Sequence, residues 1–463
     1  VRFQYGPVHY QALQMKKAIA QRLNDSSALN LPLSQAITIA AQVISEVMSG
    51  RSLTQVLEEL EPNERPIVQS ITFDTFRRWT RANALIQQFV PKPPAQELKH
   101  LLAVAITLLL DRSDVAKKGY ATHTIVNESV KACGEYDETI HAKGLVNAVL
   151  RKVSAALDAL GEQRPDHNSA GESYFPPWWI ASLRKNYSKT WQAICLQQSK
   201  RPPLILRVNQ GAISRDAYQA RLKAEGIDSE PIEVVSGIPL SSALRIKEPI
   251  PVSAITGFYD GLVSIQDAGA QLAATLLQPA LGERILDMCA APGCKTAHLL
   301  ESANVNLLAI DIDRERLKQV SETLDRLKLS LAPGQTIEVI AADAGSLAWW
   351  DKMPFDKILI DAPCSASGIV SRHPDIPFLR RANDIIELQQ RQRALLKAAW
   401  EMLKVDGLML YVTCSIFPEE GKDQAIWFLE AHPNAVRLDS IGQILPCQTH
   451  DGFYYALFKK NGL

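Results

Sequence analysis

Two short stretches in the second half of the chain place thiols where a fold would expose them: Asp361-Ala362-Pro363-Cys364-Ser365 and Thr413-Cys414-Ser415. Each follows an apolar run of strand character, 356–361 and 408–413. Neighbouring strands of a parallel sheet would deliver both sulfurs, and Asp361, to one crevice at their carboxyl ends. A single cysteine at a strand end is more often a small packed residue than a nucleophile. Two of them beside a carboxylate ask for covalent chemistry, because a thiolate is a strong nucleophile and also a workable leaving group.

One reaction needs both properties. Carbon-5 of cytosine belongs to an electron-poor ring and cannot attack a methylsulfonium unaided. Thiolate addition to carbon-6 creates an enamine that can, after which loss of the carbon-5 proton and expulsion of the thiolate restore the ring. Asp361 would hydrogen-bond the N3 and amine edge of that ring, or alternatively cap the turn that follows its strand. Moving a thiol from a pKa of about 8.5 to about 7 takes roughly 2 kcal/mol of differential stabilisation, which Lys295 or a sulfonium could supply. The residues by themselves do not decide which thiol is the nucleophile. An Asn/Asp-Pro-Pro-aromatic motif would have pointed to an amino nitrogen, but here Cys364 follows Pro363.

Upstream, Asp287-Met288-Cys289-Ala290-Ala291-Pro292-Gly293-Cys294-Lys295-Thr296 follows a strand-like run and opens a helical one. Small residues there let backbone approach a ligand at a helix N-terminus. Asp311 ends the next strand, where a carboxylate can bind both ribose hydroxyls, and Asp343 follows the third strand within reach of an adenine edge. The chain has no Gly-x-x-x-x-Gly-Lys-Ser/Thr loop, so a nucleoside cofactor such as S-adenosyl-L-methionine fits better than a triphosphate.

Those residues need strands and helices to hold them. From about 262 the sequence alternates strands (284–289, 305–311, 337–341, 356–361, 408–413, 453–458) with helices, the pattern of a doubly wound, mainly parallel α/β sheet over 261–463. Before it, a strand at 204–208 and a helix at 214–225 stopped by Gly226 predict a small α+β module over 174–260, led by Pro176-Pro177-Trp178-Trp179. Residues 161–173 read as a linker. Apolar residues at helical spacing recur from Ile37 to Val153, so 31–155 predicts an all-helical bundle that starts with Ser34 as N-cap. Residues 1–30 are taken as an extension.

Composition is that of a multidomain globular protein, 46% hydrophobic and 22% charged over 463 residues. Fifty Lys plus Arg balance fifty Asp plus Glu, so any nucleic-acid surface must be a local patch. Seven cysteines, an odd number without zinc-site spacing, predict free thiols and no metal. The longest apolar run, 101–110, is half of what a bilayer-spanning helix needs, and residues 1–30 hold no signal-like apolar core. A cytoplasmic chain acting as a monomer, without membrane partner, is the expectation.

At these motifs the chain resembles the RNA 5-methylcytosine methyltransferase family. The matching residues are Asp287 to Thr296, Asp311, Asp343, Asp361 to Gly368, Arg372-His373-Pro374, Thr413-Cys414-Ser415 and Asp451-Gly452-Phe453, with Leu206-Arg207-Val208-Asn209 and Gln266-Asp267 upstream. Gly144 to Arg151 resembles a NusB-type RNA-binding domain, and the pairing is similar to the Sun/Fmu branch, which acts on bacterial 16S ribosomal RNA. The resemblance implies a class I, Rossmann-like fold and a cytosine-5 methylation of RNA, with 16S ribosomal RNA as the expected partner. It implies Cys414 as nucleophile and Cys364 as the residue assisting release, with Asp361 and Lys295 beside them. It assigns Cys289, Ala290, Ala291, Pro292, Gly293, Cys294, Lys295, Asp311, Asp343 and Asp361 to the cofactor pocket. DNA cytosine methyltransferases use the Pro-Cys thiol instead. Cys294 stands where the family usually has a second glycine, which would tax the turn and cofactor affinity, and Ala344 replaces a frequent glycine.

For RNA phosphates, Arg372, His373, Arg380 and Arg381 lie nearest the crevice, with Lys117, Lys118, Lys143, Arg151 and Lys152 as a second, weaker group. The alternatives are a tRNA or another ribosomal RNA as substrate, or a silent RNA-binding assembly factor that retains the fold. Intact Cys364, Cys414 and Asp361 argue against the last.

Overall fold

The computed structural model describes residues 31–111, 119–135, 137–159, 175–329 and 332–462. The chain divides into two compact units, with the boundary after residue 164. The predicted extension 1–30, the linker 161–173, and Lys117 and Lys118 lie outside the described residues.

The first unit is helical: α1 (Leu33–Met48), α2 (Leu53–Glu58), α3 (Arg65–Arg77), α4 (Trp79–Phe89), α5 (Gln96–Asp111), α6 (Thr122–Gly134) and α7 (Lys143–Ala159). The spacing that predicted helices also faces the core: Ile37, Ala40, Ile44 and Val47 of α1 are buried with Leu102, Ile106 and Leu109 of α5 and with Val146, Leu150 and Val153 of α7. Ser34 is not the N-cap. Pro32 holds that place and offers no side-chain bond. Instead the Ser34 amide, one of the unpaired donors of the first turn, donates to Glu128 of α6 at 3.2 Å, and its hydroxyl donates to Glu135 at 3.1 Å. Helix α4 was not foreseen, because only Ala82 and Ile86 of its eleven residues are buried and the apolar stripe is too thin to read.

The second unit opens with α8 (Pro177–Asn186) and α9 (Trp191–Gln198), then a four-stranded antiparallel sheet in the order β2 (Ser229–Pro231), β5 (Ala243–Ile246), β1 (Leu204–Val208), β6 (Val263–Ile265), with α10 (Arg215–Ala224) capped by the Ser214 hydroxyl. A two-stranded hairpin, β3 (Val234–Val235) and β4 (Ile238–Pro239), stands apart. The small sheet takes in β6, so it extends past residue 260.

Helix α11 (Ala268–Leu277) leads into the large sheet, which runs β12 (Ala435–Arg437), β14 (Phe453–Lys460), β11 (Leu403–Thr413), β10 (Phe355–Asp361), β7 (Arg284–Met288), β8 (Asn306–Asp311), β9 (Ile337–Ala341), with β13 (Gly442–Ile444) also pairing β14. The five strands from β11 to β9 are parallel, and β14 pairs β11 antiparallel. All six predicted strands are present; β12 and β13 are additional. Alternate residues feed two cores: Ile285, Leu307, Leu359 and Leu410 lie on the α11 side, and Leu286, Met288, Ile358, Ile360 and Met409 lie against α14 (Ala382–Met402). Two helices complete the winding, α12 (Cys294–Ser302) after β7 and α13 (Arg314–Leu327) after β8. The chain proceeds β7, β8, β9 in one direction and then returns to the other side of β7 as β10. That reversal makes the carboxyl ends of β7 and β10 the switch point where open α/β sheets hold ligands.

Candidate active site

The switch point gathers the predicted chemistry. Strands β10 and β11 are parallel neighbours with Asp361 opposite Val412, so the loops after them run side by side. Cys364 Sγ lies 3.4 Å from Cys414 Sγ. Cys364 is buried and Cys414 half-buried. The Cys364 thiol is pushed well above its ordinary range by the neighbouring Cys414, with burial adding to the effect. It is held as a neutral, proton-bearing group.

The loops close because two glycines touch. Gly368 N donates to Cys414 O at 2.8 Å and Gly452 N donates to Gly368 O at 2.9 Å. A Cβ on Gly368 would meet Gly452 O at 2.1 Å and Cys414 O at 2.9 Å, so no side chain fits there. From the small module's side, Tyr187 donates to Ile416 O at 2.7 Å, Gln198 donates to Ser367 O, and Trp179 lies edge-on to Phe417.

Lys295, in the first turn of α12, donates to Asp361 at 2.6 Å, with only 13% of its side chain exposed. Burial alone would lower the ammonium pKa, but Asp361 more than offsets it and Cys414 adds to the rise, so Lys295 stays charged beside both. Phe453 of β14 floors the pair, 5.9 Å below the ammonium.

Further along the sheet edge the carboxylates come in strand order. Asp287 of β7 is fully buried; one oxygen accepts from Thr296 at 2.6 Å, and the other, Oδ1, has no partner among the described residues. Burial pushes this carboxyl up to about 7. Asp311, ending β8, accepts from the amides of Ala291 at 3.1 Å and Asp313 at 3.0 Å. Those bonds tie the turn 289–293 to the second strand. Asp343, after β9, is exposed and accepts from Gly345 N at 2.9 Å. The left-handed backbone falls on Cys289 (φ 63°) and Gly293 (φ 99°). Cys294 is already the first residue of α12, so its side chain costs the turn no backbone strain. The backbone burden on the turn expected for a residue in a glycine's place does not arise. Burial and the three nearby aspartates push the Cys289 thiol far up, which leaves it a packing residue of the turn.

The orphaned Asp287 oxygen, the buried Asp311 carboxyl, the exposed Asp343 carboxyl and the α12 N-terminus form a donor and acceptor set suited to a nucleoside bearing a cationic amino-acid tail. The residues present fit S-adenosyl-L-methionine.

Not every candidate sits where the sequence put it. Arg372 is not free for a phosphate: it pairs with Asp267 at 3.0 Å and with Asp451, both buried. Burial, with Asp451 alongside, pushes Asp267 up to about 6 while Arg372 works against the rise. Arg380 donates to Ser365 O at 3.1 Å and Cys364 O at 3.5 Å, bracing the Pro-Cys loop. His373 is half-buried, its pKa lowered by burial, and Arg381 is exposed. Three residues went unassigned in the sequence. Arg207, fully buried, pairs with Glu301 at 2.7 Å and donates to Gln266 Oε1 and to Cys294 O, fixing the start of α12. Asp451 anchors Arg372. Glu420 is a buried carboxylate behind the two thiol loops. An Arg-Val-Asn motif signalled Arg207, whereas nothing in spacing or composition marks Glu420.

Among the described residues no helix is long and apolar enough to cross a membrane, and no three His, Cys, Asp or Glu side chains converge as a metal site requires.

Comparison with known proteins agrees with this fold. Residues 274–459 match the family described as 16S rRNA methyltransferase RsmB/F, residues 175–253 its ferredoxin-like domain, and residues 34–155 the NusB family. The chain is 38% identical to ribosomal RNA small subunit methyltransferase B of Vibrio cholerae over 91% of this chain and 96% of that one. It is 38% identical to the protein of the same name from Proteus mirabilis over 91% and 98%. The crystal structure of PH0851 shares the fold at a TM-score of 0.72 with 23% identity, covering 93% of this chain and 99% of that one. With relatives this similar over nearly their whole lengths, the chain belongs to the RsmB/F family of 16S ribosomal RNA methyltransferases.

Proposed function

We propose that the protein transfers a methyl group from S-adenosyl-L-methionine to carbon-5 of a cytosine in 16S ribosomal RNA, through a covalent bond between Cys414 and the base. The observation that carries this reading is the pair of sulfurs 3.4 Å apart at the switch point, beside the Lys295–Asp361 ion pair.

When bound, the cofactor supplies an electrophilic methyl group, and Cys289 to Lys295, Asp311 and Asp343 would hold it. Cys414 is the more accessible of the two thiols and adjoins the Lys295–Asp361 pair, so it attacks carbon-6 of the base. Asp361 accepts from the amine edge of the ring and steadies its protonated form while the ring loses aromaticity. Lys295, paired with Asp361 at 2.6 Å, keeps that carboxylate oriented. Cys364, held neutral, stands beside the carbon–sulfur bond that must break and assists release. The base reaches the pocket unstacked, from a single-stranded or flipped position.

Tritium transfer from labelled cofactor to undermethylated 16S ribosomal RNA tests the assignment. Cys414→Ala should abolish incorporation, a fall of at least about 10⁴-fold for loss of a covalent nucleophile. Cys364→Ala should accumulate a protein–RNA adduct that survives denaturing electrophoresis. Normal release by the Cys364 variant together with continued methylation by the Cys414 variant would overturn the reading.

A further inference from the structure

Glu420 is fully buried, in the short 3₁₀ turn Pro418–Glu420 that follows the second thiol loop. Its backbone oxygen is pinned to β11 by the Tyr411 hydroxyl at 2.8 Å and the Thr413 hydroxyl at 3.3 Å. Its carboxylate accepts four hydrogen bonds. Oε1 takes the Ser365 amide at 2.7 Å and Gln392 Nε2 at 3.3 Å, while Oε2 takes the Ser365 hydroxyl at 2.5 Å and the Ser415 hydroxyl at 2.7 Å. Ser365 follows Cys364 and Ser415 follows Cys414, so one side chain spans the residues adjacent to both sulfurs.

The serines are also tied to one another. The Ser367 and Ser415 hydroxyls are 2.9 Å apart, Ser367 Oγ accepts the Ile416 amide at 2.9 Å, and Ser415 Oγ accepts the Phe417 amide at 3.0 Å. A buried carboxylate is costly unless its lone pairs are filled, and here each oxygen has two donors. Leaving it in place of an apolar residue makes sense if what it delivers is geometry.

We propose that Glu420 is a positioning residue that sets the separation of the two thiols, its carboxylate binding the Pro-Cys-Ser loop to the Thr-Cys-Ser loop through Ser365 and Ser415. The inference rests on the proposed two-thiol mechanism for its consequence in catalysis, but its structural content can be tested without methylation. Glu420 touches neither base nor cofactor. It acts through the serines, and a thiol displaced by about 1 Å can cost on the order of a hundredfold in rate.

Disulfide formation measures the separation. The azo oxidant diamide takes two electrons and two protons from the two thiols, its N=N bond becoming a hydrazine as the S–S bond forms. The sulfurs need close only from 3.4 Å to about 2.0 Å. In the full-length protein, peptide mapping should find a Cys364–Cys414 disulfide forming fast in the parent. In Glu420→Leu, the rate should fall about tenfold or more. Glu420→Gln should recover most of the parental rate, because its amide nitrogen can donate to the two serine hydroxyls while its oxygen keeps the Ser365 amide and Gln392. In methyl transfer, Glu420→Leu should lower kcat per folded enzyme, with the folded fraction taken from circular dichroism, and leave KM for the cofactor within about twofold.

Should Glu420→Leu fail to fold, the double variant Ser365→Ala, Ser415→Ala removes both hydroxyl links and decides instead; its crosslinking should slow in the same way. Parental crosslinking rates in a folded Glu420→Leu, or in the double serine variant, would overturn the proposal. If the crosslinking responds as expected but the parent never forms an adduct with RNA, the clamp stands and the methylation reading fails. If the adduct forms at Cys414 and Glu420→Leu leaves both crosslinking and kcat intact, the clamp alone fails.

Discussion

The carboxyl of Asp287 has one oxygen bonded to Thr296 and the other bonded to nothing among the described residues, at the end of a central strand and with no exposed surface. Burial raises its pKa from the ordinary 3.8 to about 7. Between those values the native state holds a proton that the unfolded state has released, so stability falls as pH rises through that window. The contribution is fully present below about 4 and gone above about 7. Asn at this position can still accept from Thr296 and has nothing to ionise. Asp287→Asn should therefore raise Tm at pH 8 and leave it nearly unchanged at pH 4, a difference read directly from thermal melts at the two values. A Tm gap that does not change with pH would show that the buried charge is not what costs stability.

At the scale of elements, the large sheet does its work through strand order, and the small module does its work through one buried side chain. Arg207 leaves β1 to meet Glu301 and the carbonyl of Cys294, so the small sheet holds both ends of α12, whose first turn carries Lys295. Removing one partner of a buried ion pair leaves the other uncompensated and typically costs about 3–5 kcal/mol. Arg207→Met should lower unfolding stability by that order in denaturant titration, and Glu301→Met added to it should recover a large part. If the single variant is as stable as the parent, α12 is not held from the module.

The elements themselves were largely legible. Strands β7 to β11 are apolar runs of the length a doubly covered sheet requires, bounded by Gly, Pro and Asp. The helices of the first unit show their buried stripe at the right period, except α4, where two buried residues give too little pattern. Thiols, Lys295 and the strand-end aspartates were legible because the fold class places strand ends together. Arg372 was misread because a charge in sequence does not disclose its partners: Asp267 and Asp451 are distant along the chain and adjacent in space. Glu420 was invisible for the same reason, since Pro-Glu-Glu reads as a solvated turn and only the packed loops bury it. Ser34 failed as a cap because its first-turn donor is satisfied by Glu128, from another helix.

For the molecule as a whole, the balance of fifty cationic against fifty anionic side chains means that RNA affinity cannot come from a general field and must come from patches. Arg372 and Arg380 are spent inside the second unit, which leaves few cations at its crevice. In the helical unit, Lys131, Lys143 and Arg151 line one open concavity with Asn127 and Asn147, and Lys131 has Glu128 beside it at 3.9 Å. Every residue assigned to cofactor or to thiol chemistry lies after residue 285. A chain beginning at residue 175 should therefore bind S-adenosyl-L-methionine within about twofold of the full-length affinity while its RNA binding weakens. Three lost phosphate contacts should lower the slope of log K against log salt by roughly 2, at about 0.7 per contact for single-stranded RNA. Fluorescence titrations across a salt series measure that slope directly. Equal slopes for the two chains would remove the helical unit from RNA recognition and return the whole burden to Arg381 and the surface of the catalytic unit.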